Sequence, residues 1–173
     1  MRATKAERPS LDPATGRSAG ARQVDSPNFD LRPAGVQPDL IVVHGISLPP
    51  DEYGGPWIDD LFTNQLDPAA HPYFAEIAGR KVSSHYLIRR TGELVQYVSC
   101  NDRAWHAGVS VYEGRSNCND FSIGIELEGT DTTAYEPAQY RVLTELILTL
   151  CDAYPSLSIE RLTGHSDIAP GRK

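Results

Sequence analysis

Of all the stretches in this 173-residue chain, Leu40-Ile41-Val42-Val43 constrains the fold most. Four apolar residues in a row, three of them β-branched and none alternating with a polar one, describe a strand covered on both faces. The run ends at His44-Gly45, so a histidine stands where a strand meets a loop. Pro49-Pro50 and Gly54-Gly55 shape that loop, and Pro56 suits the first position of a helix through Trp57, Leu61 and Phe62.

Further along, Ser84 to Ile88 and Leu94 to Val98 read as strands joined in a hairpin by Arg90-Thr91-Gly92-Glu93. Trp105-His106-Ala107-Gly108 falls in a loop. Phe121 to Leu127 reads as another strand, with Ile123, Ile125 and Leu127 on one face and Glu126 on the other. Pro137 opens the clearest helix, with Tyr140, Leu143, Ile147, Leu150 and Tyr154 near a 3.6-residue period. Strands interspersed with helices predict an α/β fold, a mixed central sheet flanked by helices in a single domain. Residues 1–20 lack hydrophobic periodicity and read as a flexible N-terminal arm, leaving residues 21–173 for the domain.

Composition narrows the partners. The formal net charge of -7 argues against nucleic acid, whose phosphates call for clustered Lys and Arg, and favours a small soluble substrate. Cys100, Cys118 and Cys151 are odd in number and widely spaced, with no C-x-x-C pair; three reduced, packed thiols are expected. No segment approaches the roughly 20 apolar residues that cross a bilayer, and Met1 to Pro27 holds no apolar run of signal length. A cytoplasmic, monomeric protein with no membrane partner is expected.

Five histidines are present: His44, His71, His85, His106 and His165. Taken alone, a histidine is more often a surface or core residue than a metal ligand. His44 and His165 stand apart because each ends an apolar or β-like stretch and enters a Gly- or Pro-rich loop, where sheets present functional groups. Spacing alone does not bring them together. Read alone, Glu126 is also a solvated strand carboxylate and Lys173 an exposed terminal lysine.

Several long motifs, in order, resemble the AmpD-type anhydro-muramyl-L-alanine amidases of the wider amidase and peptidoglycan-recognition-protein superfamily. They are Ile41 to Pro50, the Gly54-Gly55-Pro56-Trp57-Ile58-Asp59 loop, Arg103 to Ser110, Asn119 to Asp131, and Thr163-Gly164-His165; the resemblance runs from about Ala21 to the last residue. It implies a single amidase domain with Zn2+ held by His44 and His165, and with Glu126 and Lys173 as catalytic residues. The implied reaction is zinc-dependent hydrolysis of the bond between N-acetylmuramic acid, preferably in its anhydro form, and L-alanine, in muropeptides recycled from the cell wall. Trp105 and His106 then form a wall of the sugar site or, equally, a packed loop anchor. His85 is expected to be structural; Ser84 precedes it where some relatives place a catalytic tyrosine.

Three departures accompany the match. The family's third zinc ligand is an aspartate two residues past the lysine, and the sequence stops at Lys173, which reads as an apparent truncation. Without that aspartate, zinc would turn to a substitute such as Asp167 or to additional waters. Gly45 stands where close relatives often carry Asn. Lys81 and Asn117 stand where some carry arginines that grip the stem-peptide carboxylates, so weaker or different peptide recognition is expected. Two alternatives remain open: an amidase acting on polymeric peptidoglycan, and a non-catalytic peptidoglycan-binding module.

Overall fold

The computed structural model describes residues 8–171. Strands β1 (Ser10–Asp12) and β2 (Arg17–Ala19) form an antiparallel hairpin, followed by β3 (Arg22–Gln23) and β4 (Phe29–Leu31). The long strand β5 (Leu40–Ile46) leads into helices α1 (Trp57–Phe62) and α2 (Pro72–Ile77). Next come β6 (Tyr86–Ile88), β7 (Leu94–Gln96) and β8 (Asp102–Ala104), then the short pair β9 (Val111–Tyr112) and β10 (Arg115–Ser116). Strand β11 (Ser122–Glu128), helix α3 (Pro137–Ala153), β12 (Leu162–Gly164) and α4 (His165–Ile168) complete the described chain.

Six of these strands make one sheet in the order β12-β5-β11-β6-β7-β3. Neighbours pair in parallel except β6 and β7, which are antiparallel, so the sheet is mixed as expected. Both faces are covered, which is what an unbroken apolar run in β5 demands. On one face Ile41, Ile123, Ile125 and Leu127 meet Leu146, Ile147 and Leu150 of α3. On the other, Leu87 and Val95 meet Ile58, Phe62 and Phe74 from α1 and α2, while Leu40 and Val42 meet Phe121 and Ile168. Leu40, Ile41 and Val42 have no exposed surface; at about 1.5–3 kcal/mol per buried aliphatic side chain, this strand is a main anchor of the fold.

The expected hairpin forms, and its turn closes through Gly92 at φ 86°, whose N–H donates to the Arg89 carbonyl at 2.8 Å. Helix α3 starts at Pro137 as its sequence predicts, but Tyr140 is 54% exposed. Gln139 is buried in its place, donating Nε2 to the carbonyls of Ile88 and Glu128, because strand ends that close the sheet need donors. Helix α2 was not expected. Pro72 occupies its first turn and His71 caps it, Nδ1 accepting from the Tyr73 N–H at 3.1 Å.

The flexible arm expected over residues 1–20 is corrected for residues 10–19, which form the β1–β2 hairpin. Ser18 is buried there, its N–H donating to Gln96 Oε1 at 2.8 Å and its hydroxyl bonding Tyr86 Oη at 2.7 Å. Residues 1–7 lie outside the described residues, as does Lys173. Cys100 and Cys118 are buried, Cys151 is half-buried, and none forms a disulfide. No helix among the described residues is long and apolar enough to cross a membrane.

Candidate active site

Three neighbouring parallel strands deliver the site. His44 lies near the end of β5, directly in register with Glu126 on β11, and β12 pairs with β5 up to Gly164–Val43 before handing over to His165. The side chains of His44 and Glu126 therefore share one face, and His165 joins them from the adjoining edge strand. Functional groups gathered at the carboxyl ends of parallel strands are where open α/β sheets bind their ligands.

His44 Nδ1 lies 3.1 Å from His165 Nδ1, with the rings 4.6 Å apart in an edge-on arrangement. Glu126 Oε1 lies 3.9 Å from the same His44 nitrogen. Both His44 and Glu126 are buried, while His165 is partly exposed. Two nitrogen ligands of a tetrahedral centre at about 2.0–2.1 Å stand about 3.3 Å apart, so the His44–His165 spacing suits a shared cation. Among the described residues no group of three or more His, Cys, Asp or Glu side chains is arranged to hold a metal. Asp167, the conceivable substitute ligand, is otherwise employed: its Oδ2 accepts from the Gly164 N–H at 3.1 Å and the Thr163 hydroxyl at 3.2 Å, capping α4.

Behind the pair lies a relay of polar groups. His44 Nε2 lies 2.9 Å from His106 Nδ1, and His106 Nε2 lies 3.1 Å from Ser122 Oγ. Burial first, then the neighbouring His85, holds the His106 pKa well below its ordinary value, so this ring is neutral. A neutral His106 that keeps its proton on Nε2 for Ser122 accepts at Nδ1 from His44. That assignment puts the His44 proton on Nε2 and turns the Nδ1 lone pair toward His165. A ligand histidine oriented by a bond on its other nitrogen is the usual device for fixing the metal-binding tautomer.

The relay has its own supports. Asn119 Oδ1 accepts from the N–H groups of both His106 and Ala107, at 3.1 and 2.8 Å. Gly124 on β11 leaves room for the ring, since a Cβ there would fall 2.5 Å from His106 Cγ. His85, fully buried as expected of a structural residue, accepts at Nδ1 from the Gly124 N–H at 3.0 Å and bonds the Asp102 carbonyl through Nε2 at 3.0 Å. Burial and the nearby Arg32 charge pull its pKa down to about 3.

A hollow of about 180 Å³ opens at the pair, with Leu61, Phe62, Val82, Trp105, His106 and Glu126 in its walls. Trp105 lines the hollow, and its Nε1 donates to Asp30 Oδ1 at 3.2 Å, so the indole is anchored in its loop. Asp30 is in turn gripped by the fork of Arg103, at 2.6 Å to each oxygen. Lys81 is exposed immediately before Val82; Asn117 is exposed in a left-handed conformation at φ 59°. Neither lines the hollow. A separate cavity of about 480 Å³ between the N-terminal hairpin and α3 is remote from these histidines, and its Arg8 and Arg22 are paired with Glu145, Asp152, Asp59 and Glu93.

The sequence reading missed the structural partners of the site: Ser122, Asn119 and Gly124. A signal existed for Gly124, since glycine inside the strand Ile123-Gly124-Ile125 marks a close approach by another group.

Comparison with known proteins gives the family of the chain. The family profile described as N-acetylmuramoyl-L-alanine amidase matches residues 34–173. The 1,6-anhydro-N-acetylmuramyl-L-alanine amidase AmpD of Escherichia coli K12 is 62% identical over 158 residues, covering 91% of this chain and 86% of that protein. A crystal structure of a selenomethionine AmpD derivative superposes with a TM-score of 0.91 at 60% identity, over 94% of this chain and 89% of that one. The E. coli amidase AmiD, solved in complex with the substrate anhydro-N-acetylmuramic acid-L-Ala-D-γ-Glu-L-Lys, matches with a TM-score of 0.53 at 28% identity, over 82% of this chain and 54% of that one.

Proposed function

The chain belongs to the N-acetylmuramoyl-L-alanine amidase family, and from that premise we propose that it hydrolyses the amide between anhydro-N-acetylmuramic acid and L-alanine in small soluble muropeptides, using zinc held by His44 and His165. The observation that carries the reading is the convergence of these two histidines and Glu126 on three adjacent strand ends, at 3.1 and 3.9 Å. A cytoplasmic place in cell-wall recycling accompanies it, since a soluble anhydro-muropeptide is the substrate of that process.

When bound, zinc supplies Lewis-acid polarisation of the carbonyl and acidification of water. The chain's own groups do the rest. His106 keeps His44 in the tautomer whose Nδ1 faces the site. Glu126 takes a proton from the attacking water as its oxygen bonds the carbonyl carbon. As the C–N bond breaks, Glu126 gives that proton to the departing amine of L-alanine. The apolar walls of Leu61, Phe62 and Val82 exclude bulk water around this transfer. Lys173, by the family resemblance, contributes positive charge to the developing oxyanion.

Incubation with anhydro-N-acetylmuramic acid-L-Ala-D-γ-Glu-L-Lys and, separately, with intact peptidoglycan tests this. Mass spectrometry is expected to show the soluble substrate split into sugar acid and tripeptide, much faster than peptide is released from the polymer. Preference for the polymer would sink the recycling role, and binding without cleavage of either would favour a non-catalytic module. A buried carboxylate beside the histidine pair favours hydrolysis over mere binding. Glu126→Gln is expected to lower kcat by about 10²–10⁴-fold with zinc content unchanged.

A further inference from the structure

The ends of β5 and β11 carry a second hollow, of about 440 Å³, which shares His44, Gly45 and His165 with the first. The two differ in character. Phe62, Val82 and Trp105 give the first hollow an apolar wall, whereas Tyr135, Ser166 and Asp131 join Val43 and Leu127 around the second.

Tyr135 is seated by two glycines. A Cβ on Gly45 would fall 2.5 Å from the Tyr135 hydroxyl oxygen, and one on Gly129 would fall inside the ring edge. Neither glycine has a left-handed backbone, so what their missing Cβ atoms give is space for this ring. The strands are tied together at that spot, where the Gly129 N–H donates to the Ile46 carbonyl at 2.8 Å. From the other side Tyr135 is fixed by the start of α3, whose Glu136–Gln139 capping box begins at the next residue. Burial, then the carboxylates of Asp131 and Glu126, raises the Tyr135 pKa, so the phenol keeps its proton and can donate.

We propose that Tyr135 is a specificity-determining residue whose hydroxyl binds the sugar half of the muropeptide in this second hollow. The inference rests on the amidase reading for the identity of the substrate. A hollow with a phenol donor, a hydroxyl and a carboxylate acceptor matches a neutral, hydroxyl-bearing ring. The stem peptide is assigned to the first hollow, where Leu61, Phe62 and Val82 offer its aliphatic parts an apolar wall.

The test is titration, followed by NMR, of anhydro-N-acetylmuramic acid capped as its lactyl methylamide, neutral as the sugar is in the substrate, and of the tripeptide L-Ala-D-γ-Glu-L-Lys into the chain, Tyr135→Phe and Gly45→Ala. Phenylalanine keeps the ring on its glycines, so the fold should hold; the Cβ added at position 45 crowds the Tyr135 hydroxyl and meets the Gly129 carbonyl at an ordinary 3.9 Å. Sugar affinity is expected to drop about five- to tenfold in both variants, while tripeptide affinity stays constant in Tyr135→Phe. On the whole substrate, the KM of Tyr135→Phe should rise by a similar factor with kcat near wild type. Unchanged sugar affinity in Tyr135→Phe, loss of tripeptide affinity instead, or no sugar binding by the unaltered chain would overturn the proposal. Hydrolysis by the unaltered chain is scored separately, so failure of the amidase reading and failure of the Tyr135 assignment are told apart.

Discussion

A neutral imidazole offers one donor and one acceptor, so each ring in the series from Ser122 through His106 to His44 constrains the next. His106 was read from the sequence as a wall of the sugar site or a loop anchor; its contacts set it against His44 Nε2 and Ser122 Oγ, where a proton on His106 Nε2 would leave His44 with its Nδ1 lone pair toward His165. This makes a prediction at the residue scale. His106→Phe preserves a ring over Gly124 but removes the acceptor for His44 Nε2, and zinc affinity is expected to fall by about 10–100-fold. Competition with a chromophoric chelator measures it, and undiminished affinity would show that His106 does not orient the ligand. The pair itself was legible in part. His44 and His165 stood out by ending β-like stretches, but they are 121 residues apart, and only the parallel pairing of β12 with β5 brings them to 3.1 Å.

At the scale of elements, β11 carries the heaviest constraint, because all seven of its residues are buried. Ile123, Ile125 and Leu127 pack toward α3, whereas Gly124 and Glu126 serve the site, one by giving space and the other by its carboxylate. Gly124→Ala should displace the His106 ring, destabilising the fold by about 1–3 kcal/mol and loosening zinc. Urea denaturation checks the first effect, and a gain in stability, the ordinary result of adding a methyl within a strand, would contradict it. The strands β5 and β11 and helix α3 were visible in the sequence because each holds an unbroken or periodic apolar pattern. Helix α2 and the β1–β2 hairpin were not. The helix has only six residues, and the hairpin is held by bonds from Ser18 to Gln96 and Tyr86, 78 and 68 positions away, which no local pattern records.

For the whole molecule, buried neutral histidine links folding to pH. His85, held near 3 by burial and Arg32, takes up no proton in the folded state as pH falls below the unfolded value near 6.5, whereas the unfolded chain does. Stability is therefore full above about pH 6.5 and declines as pH drops toward 3, by up to about 1.4 kcal/mol per pH unit from this residue. Urea melts at pH 7.5, 6.5 and 5.5 read the slope; stability that is flat or rising toward acid would refute the assignment. The two-faced sheet also explains how one domain keeps a rigid back and an open rim: α3, α1 and α2 seal the faces, and the histidine pair sits where the strands run out. The most direct test of that arrangement as a zinc amidase is to strip the chain with a chelator and follow cleavage of anhydro-N-acetylmuramic acid-L-Ala-D-γ-Glu-L-Lys before and after adding Zn2+. Cleavage that vanishes on stripping, returns with about one equivalent of zinc, and fails to return in His44→Ala is the predicted result. Cleavage indifferent to the chelator, or none with zinc restored, would contradict it.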